Sequence, residues 1–394
     1  MQSRRQRLKV LHVIPSIAPC RGGPSKAIIE MVSSLRSNGI DAEITTTNDN
    51  GRDELDVELN ARIDYLGVPV RFFKRFSPPI NAIREFAYSR GFTAWLSRNI
   101  NNYDVVHIHA VFSYCSSYAM YLARRKRIPY VVRPIGQLQH WSLAQSKTKK
   151  EWYLRIIERA NLEAASAVQF TAENEQFESC QHIELNGTVI PLGINSPESA
   201  KAPKSKTRRQ WQINDADFVV LYLSRLHEKK GLELLMQAMA AIEAPELKLL
   251  VAGVGSPSYR TKLNALSKSL NLDKRCTFLG HVEGTDKNDL LHYCDLYALT
   301  SYSENFGISV LEAMAHGLTP LVSEGVALST IIKQHQLGLV CTTNVSSIEA
   351  QLRYAITNRE KIQALGRQAQ HYSDTHHSWS RIAEQLRSLY LSLA

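Results

Sequence analysis

The chain has 394 residues, 44% of them apolar and 21% charged. That composition excludes a disordered or collagenous chain, no run of about 18 uninterrupted apolar residues crosses a bilayer, and the length implies two cores of roughly 200 residues each. The net charge is +10, and residues 1–190 are the more basic part, with 25 Lys and Arg against 18 Asp and Glu. A field of that sign attracts phosphorylated acceptors or an anionic leaflet.

Arg4, Arg5 and Arg7 precede an apolar run over 8–18, as in a signal peptide, but Lys9, His12 and Pro15 interrupt it. The run reads as the first buried strand, over 8–14. The loop 15–24 carries Arg21-Gly22-Gly23 ahead of a helix predicted over 25–37. Adjacent glycines let a phosphate or sugar approach the backbone closely, although a plain turn uses them equally well. The pattern is not GxGxxG, so a nicotinamide oxidoreductase is not expected. A second strand follows over 42–47, then a polar stretch over 48–58 that reads as a mobile loop. Residues 71–76 and a helix over 83–100 mix bulky apolar and basic side chains, which suits either a core-facing helix with solvated arginines or contact with a membrane surface.

Asp104 to His109 is a strand that puts His107 and His109 on one face. The strand over 129–133 ends in Arg133-Pro134-Ile135-Gly136-Gln137, and the basic and aromatic segment 140–163 follows with Trp141, Lys147, Lys149, Lys150 and Trp152. Arg133, Gln137 and Trp141 are the acceptor-binding candidates, with a solvated amphipathic helix as the competing reading of the segment. Strands over 167–171 and 187–191 complete a doubly wound sheet of six or seven strands. Three prolines over 191–203 mark a linker.

A second unit starts with a strand over 218–224. Its strand-to-helix loop carries Arg225 and Lys230, two cations placed as a diphosphate requires, since each offsets negative charge on a departing phosphate. The strand over 248–253 ends at Gly253-Val254-Gly255-Ser256, and the strand over 276–279 at Gly280-His281-Val282. Leu296 to Leu299 is a buried strand, followed by a polar turn with Glu304 and a helix that Gly307 opens and Gly317 closes. Glu312 lies in that helix. Two acids flanking a helix amino terminus at the carboxyl end of a strand suit hydroxyl-rich, phosphorylated cargo, because a carboxylate accepts from vicinal hydroxyls and the terminus favours an anion. A solvated acidic turn is the plainer reading. Asp215-Ala216-Asp217 is literally DxD, but it precedes its strand and lies at the end of the sheet away from such a site, so no metal is assigned. No GxSxG or HExxH occurs. The six cysteines (Cys20, Cys115, Cys180, Cys276, Cys294 and Cys341) form no CxxC pair and no metal-like cluster with histidine, as in a reduced, cytoplasmic protein. Residues 379–393 carry apolar positions at helical spacing.

Glu304-Asn305-Phe306-Gly307, followed by Leu311 to Ala315 and Gly317, resembles the E-x7-E region of the retaining GT-B glycosyltransferases of family four, and Arg225 and Lys230 match that family's R-x4-K pair. The resemblance implies an α/β GT-B fold of two Rossmann-like domains with an interdomain cleft: an acceptor domain over 1–190 braced by the helix 376–394, a linker over 191–205, and a nucleotide-sugar domain over 206–375. It implies retaining, metal-independent transfer of a hexose-type sugar from a nucleotide diphosphate sugar, with no cofactor. The basic and aromatic residues of the first domain then point to a glycan or a lipid-linked glycan as acceptor, in bacterial surface polysaccharide synthesis. On the same resemblance Arg225 and Lys230 stabilise the departing diphosphate, Glu304 holds sugar hydroxyls with His109 beside it, and Glu312 holds the ribose. Gly22, Gly23, Gly253 and the backbone of His281, Val282 and Asn305 to Ile308 line the donor. Leu192 and Asn195 stand where the family usually carries Asn and Asp, a departure at the hinge. The expected setting is the cytoplasm, with the inner face of the membrane as a candidate surface and no nucleic acid as partner. Two rivals remain: a nucleotide-sugar 2-epimerase of the same fold, which needs no acceptor, and a binding protein without catalysis.

Overall fold

The computed structural model describes residues 7–181, 183–197, 208–211 and 213–394. It divides into two compact units, Met1–Gly193 with Trp379–Ala394 and Ile194–Ser378. Most of the linker expected over 191–205 lies outside the described residues.

Among the described residues, unit 1 contains ten strands: β1 Lys9–Val13, β2 Asp41–Thr47, β3 Asp49–Asn50, β4 Asp53–Glu54, β5 Arg62–Tyr65, β6 Val68–Phe73, β7 Val105–His109, β8 Tyr130–Arg133, β9 Ala167–Phe170 and β10 Gly187–Val189. Eight of them form one sheet in the order β10-β9-β8-β7-β1-β2-β6-β5. All neighbours are parallel except β5, which runs antiparallel on β6. Parallel strands covered by helices on both faces must be apolar throughout, and β7 and β8 are buried along their whole length. Phe92 and Leu96 of the helix Arg90–Asn99 and Met120 and Ala123 of the helix Tyr114–Lys126 share one core with Val106, Ile108 and Val132. The closing helix Trp379–Leu393 packs on this unit through Ile382, Leu386 and Tyr390, and the Trp379 indole donates to Glu30 at 2.8 Å.

Four expectations are corrected here. The sheet has eight strands rather than six or seven, because Arg71 and Pro69 break up the apolar pattern of β6 and so conceal the β5–β6 hairpin. Within 71–76, Phe72, Phe73 and Arg75 are buried, and Arg71 lies over the Trp95 ring at 5.0 Å; Phe76 alone of the aromatics there is exposed. The helix expected over 83–100 is two, Asn81–Glu85 and Arg90–Asn99, parted where Ala87 adopts φ +58°. The polar stretch 48–58 is not loose. It contains the β3–β4 hairpin, and its buried Asp49 pairs with buried Arg75 and, at 2.7 Å, with Arg21.

Unit 2 is a six-stranded, wholly parallel sheet: β11 Phe218–Leu223, β12 Leu247–Ala252, β13 Cys276–Gly280, β14 Leu296–Leu299, β15 Pro320–Ser323 and β16 Leu339–Cys341. The order β13-β12-β11-β14-β15-β16 makes the chain progress to one side from β11 and to the other from β14. The gap between the carboxyl ends of those two strands is where open α/β sheets bind ligands. Asp215 to Asp217 form the turn before β11, at the opposite end, where the Asp217 carboxylate accepts from the Asn214 backbone at 2.8 Å.

Candidate functional site

The loops after β11 and β14 are stapled together. The Thr300 hydroxyl donates to the Gly231 carbonyl at 2.8 Å, and the Tyr302 backbone donates to the Lys229 carbonyl at 2.9 Å. Gly231 adopts φ +65°, and a Cβ there would stand 2.1 Å from the Thr300 oxygen, so the close approach requires glycine. The staple brings Lys230, on the turn Glu228–Lys230, against Glu304, and their side chains form an ion pair with only 12% and 19% of each exposed. Burial first, then Arg225 and Lys229 nearby, pull the Lys230 ammonium down to about 7. Arg225 is exposed at the rim. The Glu304 backbone is fastened in turn to the loop after β15, donating to Gly325 at 2.8 Å and accepting from Ala327 at 3.1 Å.

Beyond Glu304, Phe306 is buried and Gly307, at φ +90°, caps the helix Ile308–Ala315. Ser309 in its first turn receives a hydrogen bond from buried Tyr297 at 2.7 Å. Glu312 sits one turn in, and both of its oxygens accept from Lys287 at 2.7 Å. Lys287 belongs to the helix Gly284–Tyr293, which follows His281 and Val282 at the end of β13. His281 is exposed beside Glu283 at 3.3 Å. At Gly253 a Cβ would lie 1.9 Å from the Ser224 oxygen, so this glycine lets the β11 and β12 loops cross. Arg225, Lys230, Gly253, His281, Val282, the stretch Glu304 to Ile308 and Glu312 therefore gather at the carboxyl end of one sheet. Lys230 meets Glu304 directly, whereas Glu312 meets Lys287.

The unit 1 candidates occupy the corresponding end of the other sheet. Gly22, at φ +74°, caps the helix Gly23–Ser37 with open space around the position of a Cβ, and the neighbouring Arg21 is engaged by Asp49 and Glu85. His109 is fully buried, with its Nε2 2.9 Å from His12 Nδ1, and His107 Nδ1 lies 2.6 Å from the Tyr390 hydroxyl. Burial, with Arg133 close by, holds His12 at about 3 and the other two rings well below the usual histidine range, so all three imidazoles are neutral. These rings are the one group of three or more His, Cys, Asp or Glu residues among the described residues whose ligand atoms all lie within 4.8 Å of one another, but a guanidinium is a poor neighbour for a second cation. No scan for local spacing could find this cluster, because His12 comes from a different strand and is paired across the sheet with His107.

Arg133 is 1% exposed at the end of β8, and burial draws its guanidinium down to about 10. Gln137 accepts from the Val111 backbone at 2.6 Å and Glu158 from Phe112 at 3.1 Å. Together they fix the turn after His109, in which the non-glycine residues Ala110 and Phe112 adopt φ +70° and +59°. Such left-handed residues persist only where the surroundings hold them. Glu158, which the sequence did not single out, also accepts from Ser117 at 2.6 Å, and burial raises its carboxyl to about 7. Trp141 is half-buried in the short helix His140–Ala144.

The sequence matches two family profiles, Glycosyl transferases group 1 over residues 203–372 and Glycosyl transferase 4-like domain over residues 22–178. D-inositol 3-phosphate glycosyltransferase of Corynebacterium glutamicum is 24% identical, the alignment covering 94% of this chain and 91% of the relative. Among solved structures, sucrose-phosphate synthase from Thermosynechococcus elongatus superposes with a TM-score of 0.81 at 20% identity, over 98% of this chain and 99% of that one. Anabaena HepE, solved in complex with UDP-glucose, gives 0.75 at 20% identity over 98% and 100%. The two mainly parallel sheets, the stapled loops holding a cation against an acid, and these matches together make the chain a group 1 glycosyltransferase with the GT-B fold.

Proposed function

We propose that the chain transfers a hexose-type sugar from a nucleotide diphosphate sugar to a hydroxyl of a glycan or lipid-linked glycan, with retention and without a metal ion. The observation that carries this reading is the Lys230–Glu304 pair at the switch point of unit 2, with Arg225 at its rim. In a dry setting a cation opposite the leaving diphosphate stabilises the charge that develops there, the part a divalent ion plays elsewhere. Glu304, already aligned by the lysine, accepts from sugar hydroxyls, and Glu312 accepts from those of the ribose. Retention requires the acceptor hydroxyl to attack on the face from which the diphosphate departs. HepE, a neighbour of the same fold, was solved with UDP-glucose, which makes a UDP sugar the first donor to test.

The acceptor side rests on unit 1. Phe76, Ile80 and Ile83 are exposed on one segment, and Trp152 and Ile156 on another that also carries Lys147, Lys149, Lys150 and Arg155. Phe86 and Tyr153 pack 5.9 Å apart and join the two segments. An apolar face edged by cations suits a lipid-linked acceptor at an anionic membrane surface. No helix among the described residues is long and apolar enough to cross a membrane.

The test is a thermal-shift screen against UDP, GDP and ADP sugars, followed by transfer assays with the stabilising donor in EDTA. Transfer to an added acceptor with the anomeric configuration kept supports the reading. Conversion of the donor with no acceptor present would assign an epimerase instead, and binding without turnover would leave only a carrier.

A further inference from the structure

We infer that Arg133 reads an oxyanion, a phosphate or carboxylate carried by the acceptor, at the carboxyl end of the unit 1 sheet; this rests on the reading above that unit 1 receives the acceptor. Arg133 closes β8 level with His109 on β7, and paired residues of parallel strands put their side chains on one face. The side chain is 1% exposed, and no hydrogen bond or ion pair reaches it from any described residue. Nε and Nη1 are enclosed and unpartnered, whereas Nη2 is the one nitrogen that touches solvent. Nη2 belongs to both forks of a guanidinium, one shared with Nε and one with Nη1. An oxyanion that meets Nη2 therefore closes a bidentate pair with an inner nitrogen that is already desolvated.

The acceptors near Arg133 are engaged elsewhere. Glu175 accepts from the Gly136 amide at 2.6 Å and from the Thr171 amide and hydroxyl at 2.8 and 2.7 Å. Gln169, on β9 one step past the paired Val132 and Val168, gives its Nε2 to the Ile190 carbonyl at 2.8 Å, and its Oε1 makes no bond to the guanidinium. A buried charge with no partner in contact is costly, and a fold keeps one where a ligand supplies the counter-charge. The same field that disfavours a metal ion among the neutral imidazoles favours an anion here. The backbone is held ready for it. The Ala110 amide donates to the Arg133 carbonyl at 2.9 Å, and the following turn contains Ile135 at φ +56°, a left-handed position that a β-branched residue adopts only under constraint.

The test follows the Arg133 Nε–H resonance, identified by its loss in R133M, while isotopically labelled wild type is titrated at constant ionic strength with inorganic phosphate, acetate, glucose 6-phosphate, glucuronate and glucose. A saturable shift with phosphate and glucose 6-phosphate, and none with glucose, assigns a phosphate; the same behaviour with acetate and glucuronate assigns a carboxylate. In calorimetry with UDP in excess to fill unit 2, R133M should weaken the effective sugar anion about ten- to a hundredfold, the size of one charge-assisted pair of bonds. R133K, a point charge without the fork, should recover part of that loss. The melting temperature of R133M should not fall, because an apolar chain of similar length replaces an unpaired buried charge. A structural arginine would lower it. A lowered melting temperature, or a resonance that none of the four anions moves, overturns the inference. Thermal shift with UDP-glucose separates it from the reading beneath: a donor that binds beside a silent Arg133 sinks the inference alone, whereas a responsive Arg133 in a protein that binds no nucleotide sugar fails the transferase reading and with it the assignment to an acceptor.

Discussion

Donor affinity is expected to fall as the solution becomes alkaline, and Lys230 is the reason. Its ammonium is 12% exposed, and burial together with Arg225 and Lys229 brings it to about 7, well below an ordinary lysine. A diphosphate binds the charged form. Below pH 7 that form is already present in the free protein, so binding takes up no proton; above pH 7 the proton must be acquired on binding, and affinity drops with each further unit. The protonated fraction changes about tenfold between roughly pH 6 and pH 8, so the Kd for UDP-glucose should rise about tenfold across that range. A nucleotide sugar is the right probe, because its phosphodiester groups do not titrate there, whereas the terminal phosphate of a free nucleotide does. Isothermal calorimetry in two buffers of different ionisation enthalpy would read both the Kd and the proton uptake. In K230R the side chain stays charged throughout, and the slope should vanish even if the affinity differs. A wild-type Kd equal at pH 6 and pH 8, with no buffer-dependent enthalpy at pH 8, would refute the reasoning.

Removing the cation altogether, in K230A, should lower turnover at least tenfold and as much as about a thousandfold, the range for one preorganised donor to a developing oxyanion, in a protein whose circular dichroism is unchanged. Gly231→Ala should lower the melting temperature and donor affinity together, since its Cβ would meet the Thr300 oxygen at 2.1 Å and an overpacked site costs about 1–3 kcal/mol. Glu158→Leu should cost about 1–3 kcal/mol in urea unfolding, because it leaves the half-buried Phe112 amide and the buried Ser117 hydroxyl without their acceptor. Replacing Phe76, Ile80 and Trp152 together by Ser should reduce sedimentation with phosphatidylglycerol vesicles while leaving donor binding unchanged; equal sedimentation would remove the membrane face from consideration.

Much of this architecture was legible because parallel strands buried on both faces leave unmistakable apolar runs, and because glycines sit where backbones cross. The strand-end loops with Arg225, Lys230 and Glu304 could be read for the same reason: each is short and anchored to a strong strand. Residues whose role comes from partners far along the chain were not legible. His12 looked like an interruption of an apolar run, yet it is the hydrogen-bond partner of His109, 97 residues on. Glu158 drew no notice within the segment 140–163 and is buried inside the π-helical turn Leu154–Glu158. Asp49 and Arg75 each looked solvated, and each is buried against the other. Charge suggests exposure only until a counter-charge arrives from elsewhere in the fold.

The antiparallel strand β5 has one further consequence. An all-parallel sheet that ended at β6 would show solvent the open ladder of Val68–Phe73, four apolar residues among six and able to recruit the same segment of another molecule. β5 occupies that ladder and presents Arg62 and Asp64 outward in its place. Deleting the hairpin arm should therefore leave donor chemistry in unit 2 untouched and yet yield a protein that self-associates through its frayed margin, a colloidal defect rather than a catalytic one.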